Sequence, residues 1–270
     1  MSSPTGPTPP PPPMYPVASS PVTPEPAGPG LSESQRLVNT FFAPTKTFTD
    51  IRRNASWWVP WLISAVFTLI FSVVAVQKID MARFVQEQID RSPSAQKRME
   101  RLTPEQRAQG MALQATITKV SFYMAPLFSL IIGLVVAAVL MGVFNFMLGA
   151  EVTFPRAMAV VFYAGLTGIV ATILLTASYL ASADPSTIDI ARNPMPTNLG
   201  FFMDPEGNKA LYGLASSIDI FRIWFVALLG LGFSTVSTNR KPSVGTAMVT
   251  AFVCYGIIVL IGIGFKMAFS

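Results

Sequence analysis

The chain has 270 residues, of which 51% are hydrophobic and only 12% charged, with a formal net charge of +5. A water-soluble fold of this size needs more charged surface, so the composition indicates an integral membrane protein. There is no histidine and a single cysteine, Cys254. These two counts exclude histidine-based catalysis, an intrachain disulfide and a thiolate zinc cluster.

Residues 1–35 differ from the rest of the chain in composition. Twelve of the 23 prolines precede residue 31, mixed with serine, threonine and glycine. Such a segment cannot bury enough apolar area to offset its ordering entropy, so we predict a disordered Pro-rich tail. It lacks the basic start and short apolar core of a secretory signal, and we expect the first apolar run to be an uncleaved anchor.

Long uncharged runs dominate the remaining residues, 36–270, which we interpret as one membrane domain. Each run is long enough, or nearly so, to cross about 30 Å of hydrocarbon as a helix. None alternates polar and apolar residues as a membrane β-strand does. We therefore predict an all-α membrane protein, a bundle of five transmembrane helices. The runs are 54–77, 120–150, 157–183, 223–239 and 242–265, and the predicted spans are about 57–77, 121–149, 156–182, 218–238 and 243–265.

The polar loop 78–119 is predicted to be helical. Thr103 and Gln106 flank Pro104 in the pattern of a capping box with proline at the first helical position. Apolar residues recur at helical spacing earlier in the loop, at Met81, Phe84, Val85 and Ile89. They could rest on the bilayer surface or pack on the bundle, and the sequence leaves both readings open.

The links between spans differ in length. Short links at 151–156 and 239–242 predict antiparallel neighbours for spans two and three and for spans four and five. The link 184–209 is long and rich in proline, asparagine and glycine, and is expected to be an irregular external loop.

Asp219 and Arg222 are the most informative polar residues, because they lie three apart on one helix face where a short uncharged run begins. This position predicts that both charges lie at or just inside the membrane interface. Two readings follow. The pair could anchor the helix end beside Trp224 in an aromatic belt, or it could join helices or receive a ligand.

Asn145, near the end of the second span, is the other polar candidate, and an amide at that depth usually bonds a neighbouring helix. Small residues also recur on the second span, which lets another helix approach closely within the chain or in a homodimer. They are Ser129, Gly133 and Ala137, and Ala138 and Gly142.

The sequence offers little support for an enzyme. An intramembrane aspartyl protease needs two carboxylates in the membrane, and only Asp219 qualifies. No glycine-rich phosphate loop ends in Lys-Ser or Lys-Thr. We therefore expect a non-enzymatic protein with no catalytic residue, cofactor or metal.

Four junction segments together carry a resemblance to a known family. They read LVNTFFAPTKTFTDIRRNASWWVPWLIS, TFPRAMAVVFYAGL, NLGFFMDPEGNKALYGLASSIDIFRIW and LLGLGFSTVSTNRKPSVGTAMV. In this order they resemble the bacterial branch of the Yip-domain (Ypt/Rab-interacting protein) membrane family over roughly residues 36–265. Asp219, Phe221 and Trp224 match the family's aspartate-aromatic-tryptophan junction.

The resemblance implies five spans, a cytoplasmic N-terminus, and roles in vesicle trafficking and membrane shaping. It implies the lipid bilayer, the protein itself and other membrane proteins as partners, a small GTPase by analogy alone, and no nucleic acid. The charge count disagrees on orientation, because seven cations lie on the N-terminal side of the predicted spans and eleven on the other. Arg52 and Arg53 beside the first span agree with the resemblance, and we follow it, in a bacterial cytoplasmic membrane.

The sequence therefore predicts a scaffold or membrane-organising factor. Its rival is a small transporter or channel that would use Asp219, Arg222 and Asn145 around a polar path. Two charges and one amide are few for coupled transport, and the sequence contains no evident internal repeat.

Overall fold

The computed structural model describes residues 29–182, 195–205 and 207–269, and these residues form an all-α fold. Within these ranges, the only β pairing is an isolated antiparallel bridge between Asn198 and Asp219. The helices are α1 Glu33–Phe42, α2 Pro44–Ile51, α3 Trp58–Lys78, α4 Met81–Asp90, α5 Pro93–Glu100, α6 Pro104–Leu148, α7 Phe154–Gly165, α8 Thr167–Ala181, a 3₁₀ helix Leu199–Phe202, α9 Lys209–Ser217, α10 Ile220–Val236 and α11 Val244–Phe269.

Among the described residues, four helical segments are long and apolar enough to cross a membrane. They are α3, α6, α7 together with α8, and α11 as far as Phe265. The fourth predicted span corresponds to α10, which has 17 residues and is therefore about 25 Å long. A crossing needs about 20 residues. Four of the five predicted transmembrane helices thus meet the length criterion. The predicted total of five is not confirmed.

Helix α6 is the longest element, with 45 residues and a length of about 67 Å. Thr103 and Gln106 form the predicted capping box at its start. Pro126 lies inside the helix and has no backbone N–H, so the carbonyl oxygen of Phe122 loses its helical partner. That oxygen accepts a hydrogen bond of 2.7 Å from Ser72 Oγ of α3. A proline is tolerated within a membrane helix when neighbouring groups satisfy the backbone in this way.

The loop 78–119 is helical, as predicted, and comprises α4, α5 and the first turns of α6. Met81 and Val85 of α4 are 4% and 2% exposed, and α4 packs on α6. The apolar face of α4 therefore packs on the protein, which is the second of the two readings that the sequence left open.

Helix α7 lies at the centre of the fold. Its residues 157–164 are all buried, with α6, α10, α3 and the N-terminal helices around it. A helix that is apolar on every side needs such a position. Gly133 of α6 allows close packing here, because a Cβ at Gly133 would lie 2.5 Å from Cζ of Phe162.

The first two helices, α1 and α2, form a hairpin that packs on α7 and α10. A capping box of Ser32 and Gln35 starts α1 at Glu33, so residues 33–35 of the predicted tail are helical. The rest of the predicted tail before residue 29 lies outside the described residues. Phe48 of α2 is fully buried, whereas Phe42 at the turn of the hairpin is 85% exposed.

Candidate functional site

Helices α9 and α10 run in the same direction as each other along α11 and together form an interrupted helix. A Cβ at Gly213 of α9 would lie 3.0 Å from Cγ1 of Ile263, and the carbonyl oxygen of Ser217 accepts a hydrogen bond of 2.6 Å from Tyr255 Oη. Gly230 of α10 packs against the backbone of α11 nearer its start. The chain therefore runs antiparallel to α11 through both helices, with a break at residues 218–219.

The backbone at the break is satisfied by an extended segment that pairs with it. The Leu199 amide donates to the carbonyl oxygen of Ile218 at 3.4 Å, and the Ile220 amide donates to that of Thr197 at 3.1 Å. These two bonds form the bridge between Asn198 and Asp219. Backbone groups at an interruption between two helices need hydrogen-bond partners, and residues 197–199 supply them here.

Asp219 is the N-cap residue of α10. Its Oδ1 accepts hydrogen bonds from the amides of Phe221 at 3.0 Å and Arg222 at 3.1 Å, and its Oδ2 accepts one from the hydroxyl of Thr197. An aspartate N-cap stabilises a helix by about 0.5–2 kcal/mol. Both carboxylate oxygens are therefore occupied by the fold around the break.

The break lies level with the middle of two neighbouring apolar helices. Thr167 Oγ1 lies 3.5 Å from the carbonyl oxygen of Phe221, to which it donates. At 1.5 Å per helical residue, Thr167 lies about 15 Å from the start of the apolar segment 157–181, which is about 36 Å long. Tyr255 lies about 20 Å from the start of the run 242–265, which is about 35 Å long. Asp219 and Arg222 therefore lie near the middle of the neighbouring apolar helices rather than at their ends.

A cavity of about 1170 Å³ adjoins the start of α10. It exists because α10 begins at the level of Thr167, whereas α8 and α11 continue for several turns beyond that level. Helix α9 and the α4–α5 junction complete its walls. Its ionisable lining residues among those described are Arg91, Lys209, Asp219, Arg222, Tyr212 and Tyr255.

Arg222 lines this cavity and is exposed. Within the part of the chain that the structure describes, its guanidinium forms neither a hydrogen bond nor an ion pair, although its backbone amide bonds Asp219. The predicted pair is thus close in sequence but does not form a salt bridge, because Asp219 is used in capping.

Trp224 packs against the N-terminal hairpin. It is half-buried, and its ring lies 5.6 Å from that of Phe41 in an edge-to-face arrangement. Such pairs contribute about 0.5–1.5 kcal/mol beyond the area that they bury. Trp224 therefore holds α10 against the N-terminal hairpin.

Asn145 of α6 lies near the C-terminal end of α10, away from Asp219. Its Nδ2 donates to the carbonyl oxygen of Val152 at 2.9 Å, and its Oδ1 accepts from the Val152 amide at 2.7 Å. The loop that it closes bonds the C-terminal end of α10, where the Thr238 amide donates to Ala150. Asn145 thus bonds a loop rather than a neighbouring helix, and about 25 Å of α10 separates this loop from Asp219.

We expect Asn145→Ala to lower the free energy of unfolding by about 1–3 kcal/mol, because it leaves both backbone groups of Val152 without their partner. Asn239→Ala is the matched control: this exposed amide bonds the Glu151 carboxylate in the same loop, and we expect a loss below about 1 kcal/mol. Thermal unfolding of the detergent-solubilised variants measures both. Equal losses would contradict the role given to Asn145.

A buried polar cluster in the N-terminal hairpin was missed from the sequence. Arg36 Nε donates to Asp50 Oδ2 at 2.7 Å, and these side chains are 3% and 7% exposed. Tyr163 Oη of α7 donates to Glu33 Oε2 at 2.7 Å. The hydroxyls of two threonines donate to the carbonyl oxygen of Arg36, at 2.8 Å from Thr40 and 2.9 Å from Thr47.

Burial alone would lower the pKa of the Arg36 guanidinium, but the hydrogen bonds to Asp50 and Tyr163 outweigh it and raise that pKa. Arg36 therefore stays charged and is balanced by two carboxylates, Asp50 and Glu33, of which Glu33 Oε1 lies 3.3 Å from Arg36 Nη1. The sequence signal was the capping box at Ser32 and Gln35, which marks a helix start just before the buried arginine.

These features define a polytopic helical membrane protein, with several apolar helices of membrane-spanning length around a buried central helix. The family model of the Yip1 domain matches residues 38–263, which is most of the chain. The chain belongs to the Yip1 domain family, which confirms the resemblance to this family as a whole. Comparison with curated proteins and with solved structures gives no match.

Proposed function

We propose that this protein is a non-enzymatic scaffold that organises a membrane through contacts with lipids and other membrane proteins. Membership of a membrane family that is not known as enzymatic supports this proposal. In it, α9 and α10 supply an interrupted fourth crossing, so that the chain crosses a bacterial cytoplasmic membrane five times with its N-terminus in the cytoplasm. A small GTPase is a partner by family analogy alone.

The observation that carries the proposal is the separation of the polar residues. Asp219 caps α10 and Asn145 closes a loop about 25 Å away, at the other end of that helix. A transport path needs polar groups that converge on one route. Because these groups bond the backbone at opposite ends of α10, their arrangement favours a structural role over a shared path.

The outer face of α6 supports association with other membrane proteins. Gly133 and Ala137 are buried against the rest of the chain, whereas Ala138 is exposed and a Cβ at Gly142 would meet nothing within 4 Å. Small residues on an outer face let a second helix approach closely. This face therefore remains available to a partner or a second copy.

Reconstitution into liposomes tests the proposal. We expect the protein to self-associate, to change vesicle shape, or both, and Gly142→Leu to weaken self-association without loss of folding because the site is open. Gly256→Leu is the matched control, since a Cβ at Gly256 also meets nothing within 4 Å. Unchanged vesicles together with a strict monomer would reject the scaffold.

A second candidate function, a small transporter or channel, is favoured by one observation. The interrupted helix α9–α10 breaks near the middle of the apolar helices beside a cavity that contains Arg222. Discontinuous helices with their binding site near the bilayer midplane are typical of secondary transporters.

Solute or ion flux in proteoliposomes distinguishes the two candidates. Asparagine caps helices about as well as aspartate, so Asp219→Asn removes the charge while leaving α10 capped. Flux that is present in the unaltered protein and lost in Asp219→Asn would favour the transporter. The scaffold predicts no flux in either protein.

A further inference from the structure

Arg222 is a charge beside the cavity that the described part of the fold does not neutralise. It lies near the middle of the apolar helices, lines the cavity beside α10, and has no hydrogen-bond or ion-pair partner for its guanidinium among the described residues. An arginine at the centre of a membrane helix costs about 2.5–3.5 kcal/mol on insertion scales. Residues in such positions usually face a partner, water or a ligand.

The backbone at the start of α10 does not bind an anion in place of Arg222. The amides of Phe221 and Arg222 donate to Asp219, and that of Ile220 donates to Thr197. These bonds use the groups through which a helix N-terminus holds an anion. A negatively charged ligand in the cavity would therefore be held by the cationic side chains that line it, which are Arg222 at the start of α10 and Arg91 and Lys209 on the surrounding walls.

The cavity walls suit more than a small ion. Apolar residues of α8 and α11 line it on two sides, among them Ala171, Leu175, Ile258 and Val259. Its volume of about 1170 Å³ exceeds the roughly 300–1,000 Å³ of typical small-molecule pockets. A ligand that fills it thus needs an apolar part as well as an anionic group.

We propose that the cavity binds an anionic phospholipid, with its phosphate on the Arg222 guanidinium and its acyl chains along α8 and α11. The planar guanidinium can donate two parallel hydrogen bonds to a phosphate, and such charge-assisted pairs are stronger than neutral ones. This proposal rests on the lipid contacts of the proposed function. Anionic phospholipid is the class of lipid, and Arg222 is the residue that selects it.

Binding of short-chain lipids to the purified full chain in neutral detergent tests this site. The probes are dioctanoyl phosphatidylglycerol, the zwitterionic dioctanoyl phosphatidylcholine, and inorganic phosphate. We expect phosphatidylglycerol to bind best and Arg222→Gln to weaken it about tenfold or more, because a charged partner is lost. Lys241→Gln, an exposed cation beyond the other end of α10, should leave binding unchanged.

A second variant keeps the test decisive if Arg222→Gln does not fold. Gly262 lines the cavity, and a Cβ there would meet nothing within 4 Å. Gly262→Phe should therefore fill the cavity and abolish phosphatidylglycerol binding while Arg222 stays in place.

Three results would overturn the proposal. The first is equal binding of the two lipids. The second is unchanged phosphatidylglycerol binding in Arg222→Gln or Gly262→Phe. The third is competition by inorganic phosphate as strong as that by lipid, which would indicate a site for a free oxyanion. Vesicle shape and self-association in Arg222→Gln are read separately. If Arg222→Gln loses lipid binding but still self-associates and changes vesicle shape, the lipid site is supported and the scaffold proposal is unaffected. If the unaltered protein neither self-associates nor changes vesicle shape, only the scaffold proposal is rejected.

Discussion

Asp50→Ala is expected to lower the free energy of unfolding by about 1.5–3 kcal/mol, because it removes a charge-assisted hydrogen bond from the buried Arg36 guanidinium and leaves it with the partly exposed Glu33 carboxylate at 3.3 Å. The side chains of Arg36 and Asp50 are 3% and 7% exposed and lie 2.7 Å apart. This bond joins α2 to the start of α1 in the N-terminal hairpin. We therefore expect undocking of this hairpin, seen as faster amide hydrogen exchange in residues 33–51, together with a lower unfolding temperature.

Two further variants separate the buried charge from simple loss of contact. In the double variant Arg36→Met/Asp50→Leu the charges are replaced by apolar groups of similar volume, and such replacements are often neutral or stabilising. Glu87→Gln disrupts the surface pairs of Glu87 with Arg83 and Arg91, whose side chains are 61% and 28% exposed, and should cost less than about 1 kcal/mol per pair. A double variant as unstable as Asp50→Ala would contradict the explanation.

Much of the helical framework could be predicted because apolar runs of this length have few other stable arrangements. The runs 54–77, 120–150 and 242–265 lie largely within α3, α6 and α11. The capping box at the start of α6 could also be predicted from the sequence, from Thr103 and Gln106. In both cases the signal is local, so the sequence alone carries it.

The break between α9 and α10 could not be predicted, because an aspartate N-cap looks the same at the start of a span and in the middle of one. Asp219 was interpreted as the entrance to a span at the interface. What distinguishes the two cases is α9, which continues the path along α11, and the distant residues 197–199 that pair with the break. Neither partner is adjacent in sequence.

The buried pair of Arg36 and Asp50 was missed for a related reason. Each residue lies among polar neighbours in a short amphipathic helix, and this pattern normally places charges in solvent. Burial comes from docking on α7 and α10, where the glycine at position 232 admits Phe48. The cavity at Arg222 was missed for the same reason. It depends on where α10 begins relative to α8 and α11, which is defined only once the helices are packed together.

Gly230→Ala is expected to destabilise the protein by about 1–3 kcal/mol, because an added methyl group would overpack the contact between α10 and α11. A Cβ at Gly230 would lie 2.6 Å from Cα and 2.9 Å from the amide nitrogen of Met248. Backbone atoms cannot rotate away as a flexible side chain can, so the two helices must move apart. Because α10 and α11 also border the cavity, we expect weaker phosphatidylglycerol binding as well.

Gly256→Ala provides the matched control, since the same methyl group on α11 meets nothing within 4 Å. It should be neutral or stabilising by up to about 1 kcal/mol, because alanine favours a helix over glycine. Cys254, the chain's single cysteine, is half-buried in α11 and reports unfolding through its reaction with a thiol-specific dye on heating. Opposite shifts of the two unfolding temperatures would support close backbone packing, and a Gly230→Ala protein as stable as the Gly256→Ala protein would refute it.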